Sequence, residues 1–437
     1  MQVRFLELAR SGGLVQPLPH VERWLLRMLV SRRSEPSDNQ NTWVANTPST
    51  YSHDKFSSMR STCRMKKINH NNSRRMMGEC MTGNLIDDCW RCDNQWRQHR
   101  QALAKCALGA GSNVVGGANG RIYVVTDDSD ADAVNPIPGT LRYGAIQQEP
   151  LWITFSQDMS IHLRNELILT SFKTIDGRGF NVHIAGGAGL TLQSISNVII
   201  HGVHIHDTVP TGPATVRSSM THSGGRGRTD GDAINIYSSH DIWIDHCYFA
   251  NGADGLVDVT MGSTGVTISN NYFTDHDKVI LLGAHPRDMF DMHMRVTVAY
   301  NHFGPRLIER LPRFCRIRHG CVHVLNNMYE GWGMYAIGGS EGPTIVSQGN
   351  VFTAPNGGNK EVSKRLQDGD DGSLSNWNWQ SSGDVFLNGA FFTASGAPLG
   401  SQVYSTALND VTALPATMVA TITADAGPLA CASEGIC

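Results

Sequence analysis

Between residues 242 and 352 a short pattern recurs: a few alternating apolar residues, then Asn, one further residue, and an aromatic ring. The copies are GVTISNNYF with Asn271 and Phe273, RVTVAYNHF with Asn301 and Phe303, CVHVLNNMY with Asn327 and Tyr329, and PTIVSQGNVF with Asn350 and Phe352. An earlier copy, DIWIDHCYF, ends at Phe249 and carries Cys247 in the Asn position, and NVIIHGVHI at 197–205 is a more distant relative. Spacings between the aromatics are 24, 30, 26 and 23 residues. A period in the twenties with strand-like alternation marks a solenoid, whose single turns cannot bury a core and whose stack can. Leucines at fixed offsets and a helix per repeat, which a leucine-rich repeat would need, are missing. The pattern therefore predicts a single-stranded, right-handed parallel β-helix. Its asparagines are expected to stack at one bend, where an Asn side chain tolerates left-handed backbone and bonds to neighbouring turns.

A stack of coils turns sequence offsets into distances, because residues at one offset lie about 4.8 Å apart on adjacent strands. Asp254 follows Phe249 by five residues and Lys278 follows Phe273 by five, so the two are expected side by side. Asp258, four residues beyond Asp254 in DGLVD, shares its face if the segment is extended. Asp230 and Asp232 in DGDAI share a face with one another, and Asp232 precedes Asp254 by 22 residues, close to one coil. Arg310, seven residues after Phe303, continues the row. Four converging carboxylates without Cys or His form a hard, all-oxygen donor set that suits calcium. Taken singly, DGD and DGLVD read as ordinary Asp-Gly turns; the shared register points to a cation site. Acids beside Lys278 and Arg310 suit an acidic sugar polymer, with arginine gripping carboxylates in bidentate fashion and lysine supplying a point charge.

Charge supports a focused anionic ligand over nucleic acid. Residues 1–78 carry 13 Lys and Arg against 5 Asp and Glu, and the remainder carries 23 against 34, so the body is acidic. General nucleic-acid binding calls for a broad positive face, whereas here four arginines and a histidine crowd into RLPRFCRIRHG, Arg310 to Gly320. No apolar run reaches the 18 or so residues of a membrane span. Residues 1–78 lack steady periodicity and are expected to form a poorly structured extension before the solenoid domain at 79–437. Their first 33 residues, interrupted by Glu7, Arg10, Glu22, Arg23 and Arg27, make a poor secretory signal. The ten cysteines include no two CxxC units at zinc spacing. Cys89 or Cys92 is expected to pair with Cys106, and Cys431 with Cys437, as disulfides of an oxidising compartment.

Several long motifs, among them NPIPGTLRYGAIQQEPLWITF, SFKTIDGRG, DGDAINIYSSHDIWIDHC, DGLVDVTMGSTGVTISNNYF, HDKVILLG, RLPR and MYAIGGS, make the chain resemble plant-type pectate lyases, including pollen-allergen-like members. The resemblance runs from about Asn84 to the C-terminus. It implies a monomeric, secreted cell-wall protein with the right-handed parallel β-helix fold. The implied reaction is calcium-dependent β-elimination in de-esterified pectin (polygalacturonate), leaving a 4,5-unsaturated sugar. By motif, Asp230, Asp232, Asp254 and Asp258 match Ca2+ ligands, Lys278 a contact to substrate carboxylate, and Arg310 the base. Family members place a second functional arginine five residues after the first, in a compact pattern like RMPRCRHG. Here that position is Cys315, and about three extra residues are present; Arg313, Arg316 and Arg318 are the substrate-binding candidates. Aligning RHG favours Arg318, while counting leaves Arg316 one place off. A polygalacturonase-type hydrolase would need paired acid and base carboxylates, and the GHG and RIK motifs of that group are absent. A lyase of methyl-esterified pectin would leave four clustered aspartates unexplained, and the remaining alternative is a pectate-binding protein without turnover.

Overall fold

Alternation of apolar and polar residues at period two puts one side of each strand inward, and the coil length puts the next strand directly above. In the computed structural model, which describes residues 80–307, 313–366, 373–404, 411–431 and 435–437, this yields three parallel sheets of ten, nine and eight strands. The segment 1–78 and its boundary at 79 lie outside the described residues. Each strand pairs with its counterpart one coil away. An antiparallel hairpin, Ala214–Ser219 with His222–Arg226, projects from one coil.

The interior consists of rows at constant register. In the ten-stranded sheet Val198, Ile242, Val266, Val296, Val322 and Ile345 lie one above another, each at most 2% exposed. The eight-stranded sheet contributes Leu190, Ile234, Val257 and Ile280. Each such side chain stabilises the stack by about 1.5–3 kcal/mol through burial. The repeat aromatics form a continuous column in the nine-stranded sheet: Phe249, Phe273, Phe303, Tyr329, Phe352 and Phe386 stack with ring centroids 5.1, 5.1, 4.5, 4.6 and 5.7 Å apart.

The asparagine ladder forms as expected. Asn301 Oδ1 accepts the backbone N–H of Asn271 at 2.9 Å and its Nδ2 at 3.0 Å, and Asn327 does the same for Asn301, and Asn350 for Asn327. Cys247 completes the lower end by donating its N–H to Asn271 Oδ1. The left-handed backbone, however, belongs to the preceding residue. His246, Asn270, Tyr300, Asn326 and Gly349 have φ of 49°, 54°, 57°, 50° and 63°. The ladder asparagines are therefore kept for their amides, which bind the coils on both sides.

Cover is unequal. The outer face of the ten-stranded sheet carries Trp152, Ile199 and Trp243, which pack with Ile86, Trp90, Trp96 and Val114 of the amino-terminal segment and Ile422 near the C-terminus. Threonines on that face also hold the segment: Thr297 Oγ1, Thr267 Oγ1 and Thr174 Oγ1 accept from Ala110, Gly111 and Gly117 N–H. Cys89 pairs with Cys106 and Cys431 with Cys437, while Cys92 pairs with Cys80. The CWRC unit thus belongs to two disulfides that tie the covering segment together. The eight-stranded sheet turns the other way, and its outer face bears the acids.

Candidate active site

In strand Val257–Thr260, Val257 and Val259 enter the core, so Asp258 between them faces outward. Asp232 precedes strand Ile234–Tyr237 on the coil before. Asp230, Asp232 and Asp254 each bring a carboxylate oxygen within 4.8 Å of the others, and Asp258 lies against them across Gly255. A Cβ on Gly255 would sit 2.1 Å from Asp258 Oδ1 and 3.0 Å from Asp232 Oδ1, so only glycine lets the carboxylates converge. Asp232 Oδ1 accepts the Gly255 N–H at 2.7 Å, and its Oδ2 accepts from Asn235 Nδ2 at 3.1 Å. Asp258 Oδ1 is buried without a hydrogen-bond partner.

That arrangement is costly for bare carboxylates. Burial, then the charges of Asp230 and Asp254, pushes Asp232 up to about 7. Asp258 is raised well above the carboxylate range by burial, then by Asp232, Asp254 and Asp230, with Lys278 opposing. Oxygen-only donors, an orphaned carboxylate oxygen and like charges held in contact fit a hard cation, which would supply the missing positive charge.

Lys278 opens strand Lys278–Leu282 and pairs with Asp254, as the offsets predict. The backbone register is one place different from the offset rule, because Val257 faces Ile280; Val257 follows Phe249 by eight residues and Ile280 follows Phe273 by seven. On the next coil the difference grows. Cys315, twelve residues after Phe303, faces Ile280, and Arg313 faces Lys278. The additional residues therefore precede strand Arg313–Ile317, and the backbone row that sequence counting extends to Arg310 continues through Arg313. Arg310 itself lies outside the described residues. Arg316 is in register with Leu281 and, through it, with Asp258.

Arg318 directly follows strand Arg313–Ile317. It is buried, its Nη1 donates to the Gly283 carbonyl, and its charge acts on the carboxyl of Asp291, which burial otherwise raises. A Cβ on Gly283, whose φ is +89°, would sit 3.1 Å from the Arg318 Cβ and 3.2 Å from Asp291 Oδ2. Arg313 and Arg316 lie within the paired strand, in register with Lys278 and Leu281, and the Arg318 N–H donates to the Leu282 carbonyl just beyond its end.

Asn235 was not legible as a site residue. It stands in register with Asp258 on one side and Thr191 on the other, and its Oδ1 is buried without a partner. Asn235 lies inside the DGDAINIYSSHDIWIDHC motif, but nothing in that motif gives it a role; only the one-coil relation to Asp258 could have singled it out.

A family model described as pectate lyase matches residues 109–427. The chain is 55% identical over 373 residues to probable pectate lyase 8 of Arabidopsis thaliana, covering 85% of this chain and 88% of the relative. It is 53% identical over 370 residues to a pectate lyase of Zinnia elegans, covering 84% and 91%. Among solved structures it is similar to jun a 1, the major allergen from cedar pollen, with a TM-score of 0.75 and 44% identity over 79% of this chain and 99% of that one. A thermostable pectate lyase at 19% identity and a TM-score of 0.51, covering 73% of this chain and 96% of that one, shares the fold. Among the described residues no helix is long and apolar enough to cross a membrane.

Proposed function

The chain belongs to the pectate lyase family and is a lyase acting on polysaccharide, and from that membership we propose that it cleaves (1→4)-α-D-galacturonan by calcium-dependent β-elimination, as a secreted, monomeric cell-wall enzyme. The observation that carries this reading is the convergence of Asp230, Asp232, Asp254 and Asp258 beside Lys278 on one open sheet face. These four carboxylates would hold Ca2+. When bound, the ion would neutralise them and draw charge from a substrate carboxylate, which acidifies the adjacent C5 proton. Lys278 would orient the substrate carboxylate by charge, with Arg313 and Arg316 on the following coil extending the basic edge.

Arg310 is the proposed base. A free guanidinium stays protonated at ordinary pH, so this role requires neighbouring positive charge and favours alkaline conditions. The proton leaves C5, the electron pair forms the C4–C5 double bond, and the glycosidic oxygen departs from C4. The test is incubation with polygalacturonate with and without a chelator, following ultraviolet absorbance of the unsaturated product. Product only with calcium supports the reading. New reducing ends without absorbance would identify a hydrolase, and neither signal a binder. Arg310→Lys should nearly abolish turnover with the fold intact; full activity in that variant would remove Arg310 from the role.

A further inference from the structure

On the nine-stranded sheet, away from the acids, stands a row of rings that the proposed chemistry leaves idle. In strand Val182–Ala185 the buried Val182 and Ile184 point inward, and in strand His204–His206 Ile205 does so, which turns His183, His204 and His206 outward. His183 and His204 face each other on adjacent coils, and the row continues through Tyr248, Tyr272 and His302. The His183 and His204 rings stack at 4.3 Å, while His206, two residues beyond His204, stands edge-on to His183 at 88°.

Hydrogen bonding fixes the state of one pair in this group. His183 Nε2 lies 3.1 Å from Asn181 Oδ1, and His206 Nδ1 lies 2.6 Å from Asp207 Oδ2. Both oxygens are acceptors, so each neutral ring spends its single N–H outward. The two nitrogens left over, His183 Nδ1 and His206 Nε2, are 2.9 Å apart. Two lone pairs then meet, an arrangement that is stable only with a cation shared between them. Burial, then the charge of His206, holds His183 below its ordinary value, and burial, then His183, lowers His204 to about 4. A proton is therefore disfavoured here, whereas a transition metal takes imidazole in its neutral form.

We infer that His183 Nδ1 and His206 Nε2 form a binding site for a divalent transition-metal ion, copper(II) in particular, on the outer face of the nine-stranded sheet. Paired imidazoles suit copper, nickel and zinc, and they lack the hard oxygen donors that select calcium. Spacing separates these ions. With metal–nitrogen bonds of about 2.0 Å, neighbouring corners of a square lie ~2.8 Å apart and those of a tetrahedron ~3.3 Å, so the observed 2.9 Å fits the square-planar ion. A small rotation of each ring turns both lone pairs to one point, and water completes the square from the open side, where the His206 side chain is 22% exposed. Asn181 and Asp207 hold the tautomers and orient the rings, as the outer hydrogen-bond partners of metal-bound histidines do. The two ligands come from successive coils, so the ion also cross-links them. None of this depends on the galacturonan reading.

The test is titration of the full-length, metal-stripped protein with CuCl2 near pH 7, in a non-coordinating buffer containing calcium, read by calorimetry and electron paramagnetic resonance. Wild type should bind a Cu2+ ion whose axial signal is split by two nitrogens. His183→Gln and His206→Gln should each weaken that ion at least tenfold and remove the two-nitrogen splitting. Asp207→Asn should weaken it about tenfold by releasing the His206 ring, and asparagine suits the φ of 53° at that position. The control is His240→Gln, which removes an exposed imidazole likewise paired with a carboxylate, that of Asp241 at 2.7 Å, and should change nothing. Wild-type affinity in folded His183→Gln or His206→Gln overturns the site, as does an equal loss in His240→Gln. If either histidine variant fails to fold by circular dichroism, undiminished affinity in Asp207→Asn overturns it instead. Wild type that takes up no Cu2+ at micromolar concentration holds a proton only between the two rings, and the metal site falls.

Discussion

Lys278 reaches back across one coil and closes on the carboxylate of Asp254. Both side chains are partly exposed, 46% and 33%, so the pair itself contributes no more than about 1 kcal/mol to stability. Its consequence is for the site, because the same ammonium neutralises part of the acidic cluster and is the candidate contact for substrate carboxylate. The two roles respond in opposite directions to its removal. Lys278→Ala should raise KM for polygalacturonate about tenfold, the loss of one charged contact, while calcium affinity stays equal or tightens about twofold to fivefold as local negative charge grows. Calcium titration and steady-state kinetics on the same variant separate the effects; weakened calcium binding would show that Lys278 holds the acids in place.

The acidic cluster should make stability without metal depend on pH in an unusual direction. Asp232 is raised to about 7 and Asp258 well above its ordinary value, so the fold favours their protonated forms. Stability from this source is complete below the unfolded value near 4 and is lost as pH rises through 7 and beyond. For Asp232 alone the loss is at most about 4 kcal/mol. In chelator, melting temperature should therefore fall between pH 5 and 8, and calcium should restore more at pH 8 than at pH 5. Asp232→Asn should flatten the metal-free profile and abolish the calcium effect. A profile in chelator that rises across this range would contradict the assigned environment.

Each rung of the asparagine ladder is bonded in both directions, so its loss strands partners on two coils. Asn301 is buried; it accepts from Asn271 N–H and Nδ2, and its own Nδ2 donates to Ile268 O and Asn327 Oδ1. Asn301→Ala should destabilise by about 2–4 kcal/mol, more than one ordinary hydrogen bond, because buried amide and carbonyl groups are left unsatisfied. Asn301→Asp should do at least as much harm by replacing the donor with an acceptor. Urea midpoints measure both, and a change below about 0.5 kcal/mol for the alanine variant would show that water or a neighbour fills the gap.

What sequence reading captured was set by strictly periodic burial. Phe249, Phe273, Phe303 and Tyr329 had to stack because each closes the same corner of the core, and the acids followed once that column fixed the register. Where turn length varies, the register could not be counted: one residue at Val257 against Ile280, and five before Cys315, bring Arg313 into register with Lys278, while Arg310 lies outside the described residues. Residues whose part depends on a neighbour one coil away were equally hidden. Asn235 acquires meaning only beside Asp258, and the Arg226–Glu166 anchor joins residues 60 apart through a projecting hairpin. The left-handed positions fell one residue before the asparagines because a side chain that bonds upward and downward needs strand-like backbone itself, leaving the turn to its neighbour. Contacts between the covering segment and the solenoid, such as Asp87 with His246, cross 159 residues and follow no period.

That last contact sets an alkaline limit on the molecule. His246 is buried, its Nε2 lies 2.8 Å from Asp87 Oδ1 and its Nδ1 2.9 Å from the Gly427 carbonyl. Burial alone would lower its pKa, but the charges of Asp87 and Asp245 and these hydrogen bonds outweigh it and raise the imidazole to about 9. A raised value means that the stabilisation is complete below pH 6.5 and is lost as pH climbs through 9; the ceiling is about 3 kcal/mol. The same contact joins the amino-terminal cover, through Asp87, and the C-terminal segment, through Gly427, to the ten-stranded sheet. Activity with an arginine base favours high pH, so the upper limb of the pH–activity curve should be governed by loosening of this cover. His246→Gln should reduce stability at pH 7 by about 2–3 kcal/mol and largely remove the decline between pH 8 and 10, as measured by thermal melts across that range. Retention of the full decline in the variant would assign the limit to another group.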